Sequence, residues 1–505
     1  MDSKHLTFEQ KVGQLIMAGI PEEQPSDEFW KMAEKYQIGN IILFARNLKS
    51  REQTWRMNTE LKNRIQEQTG WIPLISIDEE GGVVSRMPGD CAVMPSVMAQ
   101  VSLKNRRRMY EAANIVGRQL RDMEINVNLS PVLDLNYNQD NPMIGVRSYG
   151  ETIQEVLCYG QAGFEGYRDA GVLCVGKHFP GYGETRADAH LAMARVDTPK
   201  EVLMQREIRV FSEMINNGLP AIMTGHVVVP SLDASGHPCT MSEKMVQGLL
   251  RETLSFDGLL VSDALEMEAI REIYGVGKGA VEALKAGVDM LLVCHSLQEV
   301  ESVVQAVYQA VRQKEISMER IDNAVNHVLA AKRFVMGSTA GRISDEEWKQ
   351  QISFAKQFYE DTIHPIEGEK FCLGETPVFV GARPACVTQV SEDDDKDFAT
   401  YMQKNFGGTA ISFSLDPDEK ERQEICKAVQ GKSALVLATL NGHLYKGQTA
   451  LMHDLEKEGL PMALVALRNP YDLKYVSEKV FKLPLYEYSM RTLPEAKKYF
   501  VKQSV

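Results

Sequence analysis

Residues 256–263 read FDGLLVSD, a short apolar run that ends in a carboxylate. A run that is nearly continuous in Leu and Val is typical of a strand covered on both faces. Helix-like stretches separate this run from similar ones, for example at 103–122, 152–170 and 200–217. Because strands alternate with helices, we expect a parallel sheet, and about eight strands can close a (β/α)8 barrel. The runs that we assign to strands are 12–20, 38–45, 73–77, 125–135, 172–177, 221–227, 259–264 and 290–294.

Polar side chains gather where these runs end. They are Asp78, Asp134, Lys177 with His178, His226 and Asp263. Barrel enzymes carry their active sites at the C-terminal ends of the strands, so this pattern predicts a site at the barrel mouth. The alternative is ordinary solvation of strand ends.

A second, smaller unit is predicted after the barrel. Residues 321–336 look like a last barrel helix, and GSTAG at 337–341 reads as a flexible break. Ser344 and Glu347 form a capping-box pattern at the start of a connecting helix. We therefore expect an α/β protein with a barrel in 1–340, a linker helix in 341–368 and an open α/β domain in 369–505. Its predicted strands are 378–381, 409–413, 434–438 and 463–467.

Composition and charge argue against some classes of binding partner. Of the 505 residues, 44% are hydrophobic and the net charge is −13, which favours large cores and argues against nucleic acid as a partner. No apolar stretch approaches the roughly 20 residues that span a bilayer, and MDSKHLTFEQ does not resemble a secretory signal. The eight cysteines are scattered without metal-ligand spacing, so we expect them reduced, in a cytoplasmic monomer or homodimer.

The densest group of titratable residues is KHFPGYGETRADAH, residues 177–190. Asp188 and His190 are two apart, so in an extended segment they share a face. A carboxylate beside a histidine favours the protonated ring, which can donate a proton near neutral pH and take it back. The pair is also compatible with a plain surface contact, and Glu184 in the same loop is an alternative acid.

The carboxylates at two further strand ends suit a sugar site. Asp263 can attack an anomeric carbon, or it can cap a helix at 264–270. Asp78 can accept bonds from vicinal hydroxyls and Arg86 can donate to ring or acetamido oxygens, unless the two form a salt bridge at the rim. Arg147, Lys177 and His178 supply further donors.

These segments resemble glycoside hydrolase family 3, in its β-N-acetylglucosaminidase branch. The matching pieces are 76–82, 144–149, 177–190, 256–263 and RNPYD at 468–472. The resemblance implies a TIM-type barrel followed by an α/β domain, and no metal or organic cofactor. It implies Asp263 as nucleophile and the Asp188–His190 pair as acid/base on a mobile loop. It also implies that the terminal sugar is contacted by Asp78, Arg86, Arg147, Lys177 and His178.

The expected activity is retaining hydrolysis of terminal β-linked N-acetylglucosamine, from muropeptides or chitooligosaccharides, by double displacement. Tyr182, Val83 and Ala189 depart from the family's usual His, Arg and Ser, which bears on the aglycone and the sugar. A histidine acid tolerates an anionic acceptor, so a phosphorylase acting on β-N-acetylglucosaminides or β-glucosides is an alternative. The others are a family 3 β-glucosidase, a non-catalytic sugar-binding protein, and a metal-dependent barrel enzyme using His178, His226 and Asp263.

Overall fold

A parallel barrel fills the N-terminal part of the computed structural model, which describes residues 3–185, 193–337, 341–383 and 397–502. Its strands, with one short extra pair, are β1 (Ile16–Gly19), β2 (Asn40–Leu43), β3 (Leu74–Ile77), β4 (Val127–Asn128), β5 (Leu173–Phe179), β6 (Ala194–Arg195), β7 (Ala221–Thr224), β8 (Val227–Val228), β9 (Leu259–Ala264) and β10 (Met290–Val293). The closed order is β1-β2-β3-β4-β5-β7-β9-β10, and β10 returns to pair with β1. β6 and β8 pair separately. The predicted (β/α)8 barrel is confirmed.

Helices surround the strands and bury their apolar faces against them. They are α1 (Phe8–Gln14), α2 (Asp27–Tyr36), α3 (Arg51–Thr69), α4 (Val97–Ser102), α5 (Arg106–Asp122), α6 (Ile153–Asp169), α7 (Lys200–Gln205), α8 (Glu207–Asn216), α9 (Glu268–Tyr274), α10 (Val276–Ala286), α11 (Leu297–Arg312) and α12 (Met318–Met336), with a π-helix at Lys244–Thr253. Local chemistry sets several starts. At α6, the Thr152 hydroxyl accepts the Glu155 backbone N–H while the Glu155 side chain returns to the Thr152 N–H, which completes a capping box.

Three of the predicted elements differ from the structure. The first half of 12–20 is helical because Thr7 and Gln10 form a capping box that starts α1, and β1 begins only at Ile16. In 125–135 only β4 is a regular strand, since Pro131 has no N–H for the ladder. The helix predicted at 200–217 is interrupted at Arg206, whose backbone is not helical.

The second unit is a five-stranded parallel sheet with helices. After α13 (Asp345–Thr362), the strands are β11 (Phe371–Cys372), β12 (Val378–Ala382), β13 (Thr409–Phe413), β14 (Leu435–Thr439), β15 (Met462–Ala466), β16 (Phe481–Pro484) and β17 (Phe500–Val501). The helices are α14 (Phe398–Phe406), α15 (Glu419–Val429), α16 (Lys446–Lys457) and α17 (Leu493–Lys497). The sheet order is β13-β12-β14-β15-β16, and β11 pairs with β17. The expected open α/β architecture is confirmed.

Some strands of this second unit were not predicted from the sequence. The edge strand β16 was missed, because Lys482 and Pro484 interrupt its apolar pattern. Ser344 caps α13 as expected, with its hydroxyl accepting the Glu347 N–H. The boundaries at 340/341 and 368/369 stay predictions.

Seven cysteines within the described ranges are free thiols. None of the helices in those ranges is long and apolar enough to cross a bilayer.

Candidate active site

A cavity of about 410 Å3 opens at the C-terminal ends of the barrel strands. This volume lies in the range of small-molecule sites, and its place in the barrel is where such enzymes bind substrates. The structure brings six of the residues singled out above into its wall: Asp78, Arg86, Arg147, Lys177, His178 and Asp263. Their side chains come from four different strand ends or from loops that follow them, so only the closed barrel assembles them.

Asp263 lies near the end of β9 and is half-buried at the cavity wall. Its Oδ1 accepts the backbone N–H of Ala264 at 2.8 Å, which fixes the orientation of the carboxylate. The helix-cap alternative is wrong, because α9 begins at Glu268 with Met267 at its N-cap. The side chain is therefore placed for a role at the cavity and has none in starting the helix.

Lys177 is the centre of a buried charged network. Its Nζ lies 2.6 Å from Asp78 Oδ1 and 2.6 Å from Glu80 Oε1, and the residue is 2% exposed. Arg147 binds Glu80 through Nε at 2.7 Å and a second guanidinium nitrogen at 2.9 Å. Two cations and two carboxylates thus balance, and the bidentate contact holds the arginine in one geometry.

The pKa values in this network follow from that balance. Burial raises the pKa of Glu80, but the charges and hydrogen bonds of Arg147 and Lys177 outweigh it and hold the pKa well below its usual range. Burial lowers the pKa of Lys177, and the charges of Asp78 and Glu80 more than reverse that effect. Glu80, Lys177 and Arg147 are therefore charged at neutral pH, and the two cations are positioned before any substrate arrives.

His178 is held by a carboxylate behind it. Asp134 Oδ2 lies 2.7 Å from His178 Nδ1 and accepts the His178 backbone N–H at 3.1 Å. Asp134 is 1% exposed, and its Oδ1 also accepts the Tyr182 backbone N–H at 2.6 Å. His178 lines the cavity, and the contact with Asp134 fixes the orientation of its ring there.

Tyr182, one of the departures from the family pattern, is a fully buried residue behind the site. Its hydroxyl oxygen accepts the His226 backbone N–H at 2.6 Å, and its ring meets that of His178 edge-on at 5.1 Å. Burial and then the charge of Asp263 raise the pKa of the phenol. The neighbouring Gly183 must be glycine, since a Cβ there would lie 1.8 Å from Leu135 O.

The turn after β3 places Arg86. Gly82 has φ +57°, and a Cβ on it would lie 2.4 Å from that of Ser96. Glu79 Oε2 accepts the Ser85 hydroxyl at 2.8 Å and the Arg86 backbone N–H at 2.9 Å. Burial raises the pKa of Glu79 to about 7 against the lowering effect of these bonds. Val83, the second departure, is buried in a small apolar cluster with Val84 and Val146.

The predicted acid/base pair, Asp188 and His190, lies outside the described residues, as does Ala189. The loop is described up to Thr185. Within it, Glu184 Oε2 accepts the Tyr137 hydroxyl at 3.1 Å and lies 3.4 Å from Arg206. Glu184 is not among the cavity-lining residues of the described chain, so the alternative acid has no support from its position.

A further part of the cavity wall was not predicted from the sequence. It is formed by Phe44, Arg46, Glu266 and His295. Arg46 donates to Ile20 O at 2.9 Å and to Cys294 O at 3.0 Å, and its guanidinium lies 4.5 Å from the centre of the Phe44 ring. Glu266 accepts the backbone N–H groups of Cys294, His295 and Ser296. The signal that could have identified them is the one used for Asp78: they follow strand ends, here of β2, β9 and β10.

Glu80 was missed as well, although alternation along an extended segment puts it on the same face as Asp78. Within the described ranges, no group of three His, Cys, Asp or Glu side chains is arranged to hold a metal ion. His226 Nδ1 lies 3.0 Å from Thr240 Oγ1, and Nε2 lies 3.1 Å from Ala264 O. Both ring nitrogens thus face oxygen atoms of the protein.

Comparison with known proteins agrees with this geometry. The profile "Glycosyl hydrolase family 3 N terminal domain" matches residues 7–331. Beta-hexosaminidase A of Pseudoalteromonas piscicida is 30% identical over 335 residues, which cover 62% of this chain and 56% of that protein. A beta-hexosaminidase of Actinobacillus pleuropneumoniae is 29% identical over 345 residues, covering 66% of this chain and 98% of that relative.

One solved structure is similar over almost the whole chain. It is a glycoside hydrolase family 3 beta-N-acetylglucosaminidase from Paenibacillus sp. str. FPU-7, with 34% identity and a TM-score of 0.86. The similarity covers 97% of this chain and 96% of that one, so both units of the fold are shared. The resemblance seen in the sequence is confirmed by these matches.

Proposed function

Because the chain belongs to glycoside hydrolase family 3, we propose that it is a retaining exo-β-N-acetylglucosaminidase. The observation that carries this proposal is Asp263 on the wall of the barrel-mouth cavity, with Asp78, Arg86, Arg147, Lys177 and His178 around the same space. Such a set combines one carboxylate able to attack with several groups able to bind hydroxyl and acetamido oxygens. The names of the similar proteins support the choice of sugar.

In the proposed mechanism, a terminal sugar enters the cavity and is bound by the charged network and by Arg86 and His178. Asp263 attacks the anomeric carbon, and His190 protonates the departing glycosidic oxygen, assisted by Asp188. The bond to the aglycone breaks and a glycosyl ester of Asp263 forms. Neutral His190 then takes a proton from water, which attacks the same carbon, frees Asp263 and gives the sugar with retained configuration.

The fixed geometry of the network matters for this chemistry. Lys177 and Arg147 are locked by Glu80 and Asp78, so no side chain has to reorganise when charge develops on the sugar. The resting site is close to electrically balanced, which suits a neutral sugar. A terminal residue of an oligosaccharide can enter from the open side of the cavity, in agreement with action on chain ends.

We further propose a source for the substrate and a setting for the enzyme. Muropeptides from peptidoglycan recycling, or chitooligosaccharides, would supply terminal β-linked N-acetylglucosamine. A cytoplasmic monomer or homodimer remains our prediction from the sequence. The free state of the seven described cysteines fits a reducing compartment.

The proposal is tested with aryl β-glycosides of N-acetylglucosamine, glucose, xylose and glucosamine, each assayed with and without phosphate. We expect the N-acetylglucosaminide to be cleaved with the highest kcat/KM and free sugar to be the product in both buffers. Sugar 1-phosphate formed in phosphate would make the chain a phosphorylase instead. Preference for the glucoside would indicate a β-glucosidase, and turnover of none of the four would contradict the proposal.

The acid role is tested by varying the leaving group. His190→Ala should slow substrates with poor leaving groups by roughly 10²–10⁴-fold, the usual contribution of general acid catalysis. An aryl glycoside with a good leaving group should lose much less in the glycosylation step. Equal losses on both, with glycosylation rate-limiting, would remove His190 from the acid role.

A further inference from the structure

The RNPYD sequence of the second unit, residues 468–472, contacts the barrel beside the cavity. The part of the barrel that it contacts is 136–151, which we call the arginine segment because it carries Arg147. On its other side, the arginine segment contacts the described part of the 177–190 segment: Asn141 Nδ2 donates to Tyr182 O at 2.6 Å, and the Tyr137 hydroxyl donates to Glu184. The segment therefore links the second unit to the substrate-binding wall.

Asn469 contacts the turn that carries Arg147. Its Oδ1 accepts the Val146 backbone N–H at 2.9 Å, one residue before the arginine. A Cβ on Gly145 would lie 2.4 Å from the same oxygen, so Gly145 leaves room for the asparagine. Asn469 is 2% exposed, and the contact is therefore shielded from water.

Tyr471 reaches the same turn through one intermediate. Its hydroxyl oxygen accepts from Asn136 Nδ2 at 2.7 Å, and Asn136 Oδ1 in turn accepts the Gly145 backbone N–H at 3.1 Å. The hydroxyl itself donates to Glu151 Oε1 at 2.8 Å, at the far end of the arginine segment. The backbone N–H groups of Gly145 and Val146, which precede Arg147, are thus connected to the second unit. Val146 is bonded to it directly, and Gly145 is connected through Asn136.

A third contact anchors the middle of the segment. His443 lies between Asp472 Oδ1, 2.7 Å from its Nδ1, and Gln139 O, 3.0 Å from its Nε2. Asp472 also accepts the Thr439 hydroxyl and the Gly442 N–H, so it is fixed within the second unit. The second unit therefore contacts the arginine segment through a set of directional polar bonds. It also contacts the turn after β3, where Arg491 donates to Gly82 O and Tyr486 O accepts the Ser96 hydroxyl.

We propose that Asn469 and Tyr471 are positioning residues, by which the second unit holds Arg147 in its substrate-binding geometry. The proposal rests on the proposed function in so far as Arg147 contacts the sugar. Glu80 fixes the guanidinium from inside the barrel, and Arg147 also donates to Met143 O within the segment. The backbone under Arg147 is then set from outside by the second unit. Neither Asn469 nor Tyr471 is among the residues that line the barrel-mouth cavity.

The test is a double-mutant cycle on the full-length protein, with whichever glycoside the wild type cleaves best. Asn469→Ala should lower kcat/KM roughly five- to tenfold, mainly by raising KM, as expected when one shielded hydrogen bond behind a binding group is lost. In an Arg147→Ala background the same change should cost less than about twofold, because the residue that it positions is gone. A purely structural role would give the same loss in both backgrounds.

Lys474→Ala is the matched control. Lys474 is exposed, and its Nζ donates to Gln139 Oε1 at 2.8 Å, so it contacts the arginine segment away from the turn. Its kcat/KM should stay within about twofold of wild type. If Asn469→Ala does not fold, judged by its melting transition, Tyr471→Phe carries the same cycle, since it removes one oxygen atom.

Strong coupling between Arg147 and either Asn469 or Tyr471 supports the proposal. Equal losses in both backgrounds, or wild-type kinetics in both Asn469→Ala and Tyr471→Phe, overturn it. A wild type that cleaves none of the glycosides contradicts the proposed function instead, and that result is seen before the cycle is begun.

Discussion

Two buried charged networks lie at opposite ends of the barrel. At the mouth, Lys177 joins Asp78 and Glu80, and Arg147 completes the set. At the other end, Asp289 directly precedes β10 and contacts Arg251 at 2.6 Å, Arg320 at 3.1 Å and His327 at 3.0 Å. The carboxylates of Glu80 and Asp289 are both buried, and both have lowered pKa values.

The two networks differ in their surroundings. The network at the mouth lines a cavity and shares it with Asp263. The network around Asp289 instead ties the π-helix and α12 to the start of β9, where Asp289 also accepts the Leu260 N–H at 3.0 Å. Burial and charge therefore do not by themselves mark a functional site, and position on the barrel separates the two.

Asp289→Asn should give the largest change in stability, a loss of about 3–5 kcal/mol, because it leaves buried cations without their carboxylate. Burial raises the pKa of Asp289, but His327 and the two arginines outweigh it and lower the pKa from 3.8. Its contribution is thus full above that pH and is lost as the pH falls through the folded value. Denaturant unfolding should show that the difference in free energy of unfolding between wild type and variant shrinks at acid pH. The kcat/KM of the variant at pH 7 should stay within about twofold of wild type. A large loss of kcat/KM in the folded variant would contradict the division of roles.

Lys177→Met should lower kcat/KM by roughly 10²–10³-fold, since a fixed cation at the sugar is lost. Lys332→Met is the matched control. Lys332 is also fully buried, and it donates to Gln14 Oε1 and Gly39 O far from the mouth. In steady-state kinetics, the kcat/KM of Lys177→Met should be lower than that of Lys332→Met by roughly the same 10²–10³-fold. Similar kinetics would mean that Lys177 serves the fold alone.

Glu79→Gln should stabilise the protein near neutral pH. The folded pKa of Glu79 is raised by burial from 4.5 to about 7, so the folded state binds a proton that the unfolded state has released between these values. Stability then falls as the pH rises from 4.5 to 7, by an amount on the order of 2–3 kcal/mol. Thermal unfolding across this range should be flatter in the variant. An unchanged slope would show that Glu79 is ionised throughout.

Tyr182→Phe should give the smallest effect, about 1 kcal/mol of stability, because the His226 N–H loses its acceptor. We expect kcat/KM to stay within about threefold, since the phenol lies behind His178 and is fully buried. The measurement is chemical denaturation beside steady-state kinetics. A loss beyond about tenfold in kcat/KM with intact stability would place Tyr182 in the catalytic chemistry.

Much of the fold and the core of the site followed from the sequence. Uninterrupted Val, Ile and Leu runs located most barrel strands, and polar residues after them located Asp78, Lys177, His178 and Asp263. Contacts between distant segments did not follow from local pattern. Asp134 behind His178, Arg46 beside His295 and Asn469 under Arg147 depend on how the barrel closes and how the second unit docks. The roles of Asp188 and His190 stay predictions, because the structure does not describe them.

The central claim is that Asp263 is the nucleophile. The most direct test is Asp263→Ala assayed with an aryl β-N-acetylglucosaminide in the presence and absence of azide. We predict that turnover falls by roughly 10⁴-fold or more while the protein stays folded, and that azide restores cleavage and yields the α-configured glycosyl azide, because the small anion takes the place of the missing carboxylate. Wild-type turnover in the variant, or a rescued product of β configuration, would contradict the account.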